Sequence, residues 1–421
     1  MRIVVINAYV RENAGDAALL SVCLRHLGEA FPGAEAVVAG MEDAAERPSF
    51  EGVRNLGSIR RYVADGRVSR FRRLLRKLLM ALLGTAVLLL PRALGRALTA
   101  VFPAEARREA VALAGADLVV SMGGGYLLAR PGLDGHQNVF FVTLPALLAR
   151  RAGVPTVWAP QSFGPFPARA QRRLVGHALR PAALVLARED VSIGLLDRCG
   201  VSGPRVRRAV DSGFAFDPAV TSPWRDRLGV DAGTPLVGMT ARRWLPAPAQ
   251  ERYERALATT VDRLQAEGAR VVLIPQVTTD YLGDDDRVVE RRIAEYCAVP
   301  PLRIEESVDY RDLKGVYGEC SLLVGTRFHS VIFALTSGVP CVAIEYEHKT
   351  RGIMADLGLG EWVIPIAEVS HERLWPLVAA LRSDPEPYRA QLRDHLPGYV
   401  ARAEQFPELL RTALADGRSP A

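Results

Sequence analysis

Short apolar runs of strand length, each followed by a loop and then by residues with helical spacing, recur from one end of the chain to the other. This beat restricts the fold to a parallel α/β sheet architecture. Val4–Asn7 opens it, and Val37–Ala39, Asp117–Met122, Thr156–Ala159 and Leu184–Ala187 continue it. After Thr221–Arg227, a Pro223-containing stretch that reads as a linker, it resumes in Leu236–Thr240, Val271–Pro275, Leu322–Gly325 and Cys341–Tyr346. At 421 residues the chain exceeds one ordinary core. We expect an N-terminal domain over 1–220, a C-terminal domain over 221–375, and helices over 376–421 that pack back.

The chemistry concentrates between Leu322 and Leu359. A buried strand, Leu322–Gly325, runs directly into helical spacing over Ser330–Thr336, with Thr326, Arg327, Phe328 and His329 at the junction. A helix start leaves unpaired N–H groups and a partial positive charge, so anions are favoured there. Arg327 adds a planar fork suited to a carboxylate or phosphate. Gly338 and Pro340 end the helix and admit the strand Cys341–Tyr346, whose following loop carries His348 and Lys349. Ligands of open parallel sheets bind outside the carboxyl ends of the strands, where all these groups fall.

Composition excludes several classes. With 49% hydrophobic and 24% charged residues the chain reads as globular. Its five scattered cysteines show no zinc or disulfide spacing, which points to a reducing, cytoplasmic compartment. The opening MRIVVINAYV reads as a first strand, not a signal peptide. The net charge of +6 is local: residues 60–110 hold twelve Arg or Lys against Asp65, Glu105 and Glu109. A general nucleic-acid surface is therefore not expected. Within this insertion the basic run Arg67, Arg70, Arg72, Arg73, Arg76 and Lys77 leads into Leu78–Leu90, thirteen residues without a charge. As a helix that run is about 20 Å long, short of the roughly 30 Å of a bilayer core, so it does not span. A buried core helix is one reading; peripheral association of 67–90 with the inner face of a membrane accounts for the basic cluster as well.

Further candidates lie at strand ends. Asn13, Gly15 and Asp16 form either a ligand loop or, through Asp16, a helix cap. Gly123, Gly124 and Gly125 allow close backbone approach to a ligand, but lack the dinucleotide spacing, so no NAD or FAD is implied. Gln161 ends one strand, Arg188 another, and Arg242 and Arg243 a third. Asp284, Asp285 and Asp286 match an Asp-x-Asp metal pattern, but their place before a helix is explained by capping, and no metal is expected.

Together these residues resemble a known family. Arg327-x-His329, Phe333-Ala334-Leu335, Gly338-Val339-Pro340, Ala343-Ile344, Tyr346, Lys349 and Gly352 are similar to the C-terminal signature of polysaccharide pyruvyltransferases. Asn13-x-Gly15-Asp16, Gly123-Gly124-Gly125, Gln161 with Gly164-Pro165-Phe166, Arg188 with Ser192, and Asp211 match that family's pattern in order. The resemblance implies two Rossmann-like domains facing across a cleft, GT-B-like, with the N-terminal one on the acceptor side. It implies transfer of pyruvate from phosphoenolpyruvate to sugar hydroxyls as a ketal, without a cofactor. Arg327 and His329 would belong to the donor site with Lys349, an arginine from among Arg188, Arg242 and Arg243 would complete it, and Asp16 would join His329 in catalysis. Asn13, Gly123, Gly124 and Gln161 would meet the sugar or lipid-linked glycan acceptor. Residues 60–110 depart from the family pattern.

The residues agree chemically. Phosphoenolpyruvate is a small polyanion, so its site needs arginines and helix-start amides more than a metal. A histidine can deliver a proton to its enol carbon near neutral pH. Two alternatives share much of this description. A GT-B glycosyltransferase would need an acid for the ribose of a nucleotide sugar, which Glu345 or Glu347 could supply. A non-catalytic membrane-surface subunit of a glycan assembly complex would use the basic segment.

Overall fold

The computed structural model describes residues 1–218, 223–279 and 284–416. By internal contacts the chain forms two compact units. The first comprises Met1–Val10, Leu19–Ser212 and the residues from Arg402, and the second Arg11–Ala18 and Gly213–Ala401. The boundary expected at 220 falls outside the described residues. The stretch read as a linker is partly helical: Trp224–Leu228 is a short helix, and Trp224 is buried with its Nε1 donating to the Asp312 carbonyl at 2.9 Å. An indole that buries its ring and satisfies its N–H anchors chain to core, which a linker does not do.

The first unit is built on strands β1 (Arg2–Ala8), β2 (Glu35–Gly40), β3 (Ser49–Phe50), β4 (Val53–Asn55), β5 (Leu118–Ser121), β6 (Gly124–Leu127), β7 (Thr156–Phe163), β8 (Leu184–Ala187) and β9 (Val206–Arg208). Their order is β3-β4-β2-β1-β5-β7-β8-β9, with β6 paired to β7, and all pairs are parallel except β3 with β4. Successive residues such as Val4 and Val5, Val119 and Val120, and Val157 and Trp158 are all buried, so both faces of the sheet are covered, as parallel strands flanked by helices require. The last helix, Phe406–Asp416, is tied to the first, Ala14–Ala30, through Glu404: Arg25 Nη2 donates to it at 2.8 Å, and His26 Nε2 lies 2.7 Å away.

Within the basic insertion, Ile59–Ala64 is a helix whose first amide, Ile59 N–H, donates to Glu109 Oε2 at 2.7 Å. Glu109 is 1% exposed, and burial pushes its carboxyl up to about 7. The apolar run continues upstream as one helix, Arg70–Leu89.

The second unit carries β10 (Leu236–Thr240), β11 (Arg270–Leu273), β12 (Thr278–Thr279), β13 (Asp284–Asp285), β14 (Leu302–Arg303), β15 (Leu322–Gly325), β16 (Cys341–Glu345) and β17 (Val363–Pro365). Six of them form a parallel sheet in the order β14-β11-β10-β15-β16-β17, and β12 pairs antiparallel with β13. Both large sheets reverse strand order beside their first strand, between β1 and β5 and between β10 and β15. These are the switch points at which open α/β sheets bind ligands.

Candidate active site

At the switch point of the second unit the ends of β10 and β15 lie side by side, Thr240 against Gly325. Thr240 Oγ1 accepts the amide N–H groups of Thr326 at 2.9 Å and Arg327 at 3.2 Å. Two of the amides expected to await an anion are therefore engaged inside the fold. They fix the junction from which Arg327 caps the helix Phe328–Thr336.

Arg327 is neither exposed nor open. Its Nε donates to both carboxylate oxygens of Asp286 at 3.0 Å, and its Nη2 to Asp284 Oδ1 at 2.7 Å. Asp286 is held in place by the amides of Gln276 at 3.1 Å and Val277 at 3.0 Å. Burial pushes the Asp286 carboxyl above its ordinary range, against the pull of Arg327. For Asp284 burial also acts upward, but Arg327 and Arg242 override it and hold it below the ordinary value. The capping explanation of the aspartate triplet is thus corrected: it applies to Asp285, which accepts the Arg287 N–H at 3.0 Å, while Asp284 and Asp286 serve Arg327.

Arg242 follows β10 and stands beside this pair, 3.8 Å from Asp284. Its guanidinium lies over the Tyr346 ring at 4.2 Å and the Trp244 ring at 4.8 Å. Its buried Nε has no hydrogen-bond partner among the described residues. Arg243, next in sequence, is exposed. Lys349 pairs with Glu347 at 2.7 Å and sits 5.4 Å from the Tyr346 ring centroid. Burial acts to raise the Tyr346 phenol, but Lys349 and Arg242 reverse this and hold it below the ordinary tyrosine value. Cations packed around a phenol favour its anionic form.

His329 occupies the first turn of the same helix. The segment Arg11–Ala18 reaches it from the far end of the sequence: Asn13 bridges to Val277, and Ala14 N–H donates to the Gln276 carbonyl at 2.9 Å. Gly15 lies so close that a methyl group there would overlap the His329 ring. Here the glycine is required by close approach, not by its backbone angle. The cap of the helix Ala14–Ala30 is Asn13, whose Oδ1 accepts the Asp16 N–H at 3.4 Å while its Nδ2 donates to Asp16 Oδ2 at 2.6 Å. Asp16 is in the first helical turn, so the reading of Asp16 as the cap does not hold.

The remaining candidates belong to the first unit. Arg188 is buried, ion-paired with Asp211, and donates to Ser162 Oγ at 3.1 Å. Gly123 is needed because a side chain there would strike the carbonyl of Pro160, and Gly124 (φ 143°) begins the unexpected strand β6. The backbone of Pro160 and the opening of β6 thus account for these two glycines within the strand packing. Gln161 does not end a strand as expected but lies within β7, paired with Gly124 and Ala187, and is fully buried with neither side-chain amide atom hydrogen-bonded among the described residues. A buried amide in that condition calls for a ligand or water.

Sequence reading passed over Tyr346 and Trp244 as site residues and missed the roles of Asp284 and Asp286. Their signal was present in the aspartate triplet and in an aromatic on each of two strand-following loops. Only the fold brings these segments together.

The chain is 26% identical over 260 residues to the amylovoran biosynthesis protein AmsJ of Erwinia amylovora. That match covers 58% of this chain and 60% of the relative, so the chain spans about three fifths of the relative it matches. Among solved structures, S. aureus MnaA, determined with UDP, superposes with a TM-score of 0.62 at 14% identity, covering 100% of this chain and 99% of that one. Anabaena HepE, in complex with UDP and glucose, gives 0.56 at 16% identity, with 99% and 100% covered. Likeness at this identity shows the fold alone, the GT-B-like class with two Rossmann-like parallel-sheet units. Lys349 lies in the first turn of the helix His348–Asp356 and not in a loop as expected, and the polysaccharide pyruvyl transferase family model matches residues 13–348, from the cap residue Asn13 to the first residue of that helix; the chain belongs to that family.

Proposed function

We propose that the protein transfers pyruvate from phosphoenolpyruvate to hydroxyls of a sugar, free or lipid-linked, within a glycan or its precursor. The observation that carries this reading is the convergence at one switch point of His329, Arg242, Lys349 and the Arg327 ion pair. Arg242 and Lys349 hold the donor's carboxylate and phosphate. Asp284, whose side chain is 38% exposed, yields the outer edge of Arg327 to the incoming anion, while buried Asp286 retains the inner edge. His329 delivers a proton to the methylene carbon, and positive charge develops at the neighbouring carbon. One sugar hydroxyl bonds to that carbon. The carbon–phosphate oxygen bond breaks, a second hydroxyl closes the ketal, and of the two hydroxyl protons one restores His329 and the other ends on phosphate. Proton transfer by a positioned histidine contributes roughly 100- to 10,000-fold to such a rate.

A nucleotide-sugar reading would draw on the UDP-bound neighbours. Its ribose would need one acid, Glu345 or Glu347, and each of these is already ion-paired, Glu345 with Arg351 at 2.6 Å and Glu347 with Lys349 at 2.7 Å. The test is incubation with phosphoenolpyruvate and candidate glycans, following phosphate release and the mass of the acceptor. Release of phosphate with a pyruvate ketal on the glycan is expected; consumption of UDP-sugars without it would replace this reading.

A further inference from the structure

The helix Arg70–Leu89 fully buries Met80, Gly84 and Val87, which share one face. Gly84 lets that face sit close: a Cβ there would lie 2.9 Å from Leu144 Cδ2. The opposite face is also apolar. Phe71, Leu74, Leu75, Leu78, Leu82 and Leu89 are between 45% and 80% exposed, a continuous stripe at helical spacing. A folded chain rarely leaves so many large apolar groups in water unless something covers them.

The stripe's charged surroundings indicate what covers it. Arg70 and Arg72 flank its start and Arg92 and Arg96 lie just beyond its end, and none of the four has an ion-pair partner among the described residues. Neighbouring basic groups are engaged instead: Arg67 by Glu46 at 2.7 Å and Arg76 by Asp65 at 3.1 Å. No helix among the described residues is long and apolar enough to cross a membrane. We infer that this face docks on the headgroup region of an anionic lipid leaflet, the helix lying in the interface plane with its leucines in the acyl boundary and the four arginines among lipid phosphates. A second copy of this chain suits the face less well. Stacked in either direction, two such helices would bring arginines against arginines, with no acidic residue along the stripe to offset them.

This inference does not rest on the donor site and is tested without measuring activity. The full chain is floated with vesicles of phosphatidylcholine alone and of phosphatidylcholine with phosphatidylglycerol, at low and high salt, alongside light scattering for oligomeric state. Recovery should be at least about tenfold greater with anionic vesicles and should fall with salt. The Leu78→Glu/Leu82→Glu variant should lose binding, and Arg70→Glu/Arg72→Glu should lose it in a second, charge-based way; all four side chains point to solvent or its edge, so circular dichroism should match the unaltered protein. Absence of flotation with anionic vesicles overturns the inference. So does full binding by the folded Leu78→Glu/Leu82→Glu variant. A stable dimer that this variant dissolves, without vesicle binding, assigns the face to a second copy instead.

Discussion

Arg327 Nε and both carboxylate oxygens of Asp286 form a 3.0 Å fork in which neither side chain is more than 8% exposed. It joins the start of one helix to the first residue of another, Asp286–Tyr296, some forty positions earlier, and Asp284 extends it toward solvent. The two aspartates therefore do different jobs on one arginine. Breaking a buried pair by removing one partner costs about 3–5 kcal/mol, because the other is left uncompensated. Asp286→Asn should accordingly lower the melting temperature markedly; an unchanged thermal denaturation curve would show that the pair does not hold the fold.

Asp284→Asn should behave in the opposite sense. A half-exposed pair contributes about 0.2–1 kcal/mol, and here that contribution competes with an anionic donor. Its removal should lower KM for phosphoenolpyruvate by about two- to fivefold with kcat little altered. Steady-state kinetics decide it, and a raised KM would mean that Asp284 positions Arg327 for the donor.

His329→Gln should reduce turnover by a factor of about 100 to 10,000 while KM for phosphoenolpyruvate stays within a few fold. Gly15→Ala, which pushes a methyl group into the same ring, should reduce turnover without touching any charged group. A folded His329→Gln enzyme with near-normal turnover would move the proton donor to another residue, with Tyr346 the next to test.

Glu109 provides a pH signature in the first unit. Its folded value, about 7, lies above the ordinary 4.5, so the folded state holds the proton more tightly than the unfolded chain. The associated stability is fully present below about pH 4.5 and is lost as pH rises through about 7, up to roughly 3 kcal/mol in all. Glu109→Gln should therefore match the unaltered protein in thermal stability at acid pH and exceed it at alkaline pH. Parallel melting curves for the two proteins at both pH values would exclude the effect.

Activity should survive chelation. Asp284 and Asp286 are bound to Arg327 and Asp285 to a helix amide, so the triplet that resembles a metal motif has its oxygens engaged. Activity lost with EDTA and restored by magnesium or manganese would favour the nucleotide-sugar reading.

Local sequence determined the strand–helix alternation, because buried parallel strands need short unbroken apolar runs and helices need a different period. Leu322–Gly325 and Leu184–Ala187 match to the residue, and the placement of Arg327 and His329 at a helix start follows from the same local rule. Strand order, however, comes from long-range pairing. It alone decided that Arg242 stands next to Arg327, that Arg188 is engaged by Asp211, and that Gly15 makes room for His329 across more than three hundred positions. The helix Arg70–Leu89 shows the same division. Its composition announced a basic and apolar segment, but both of its faces are apolar, so only packing could decide which one the core covers and which one remains exposed.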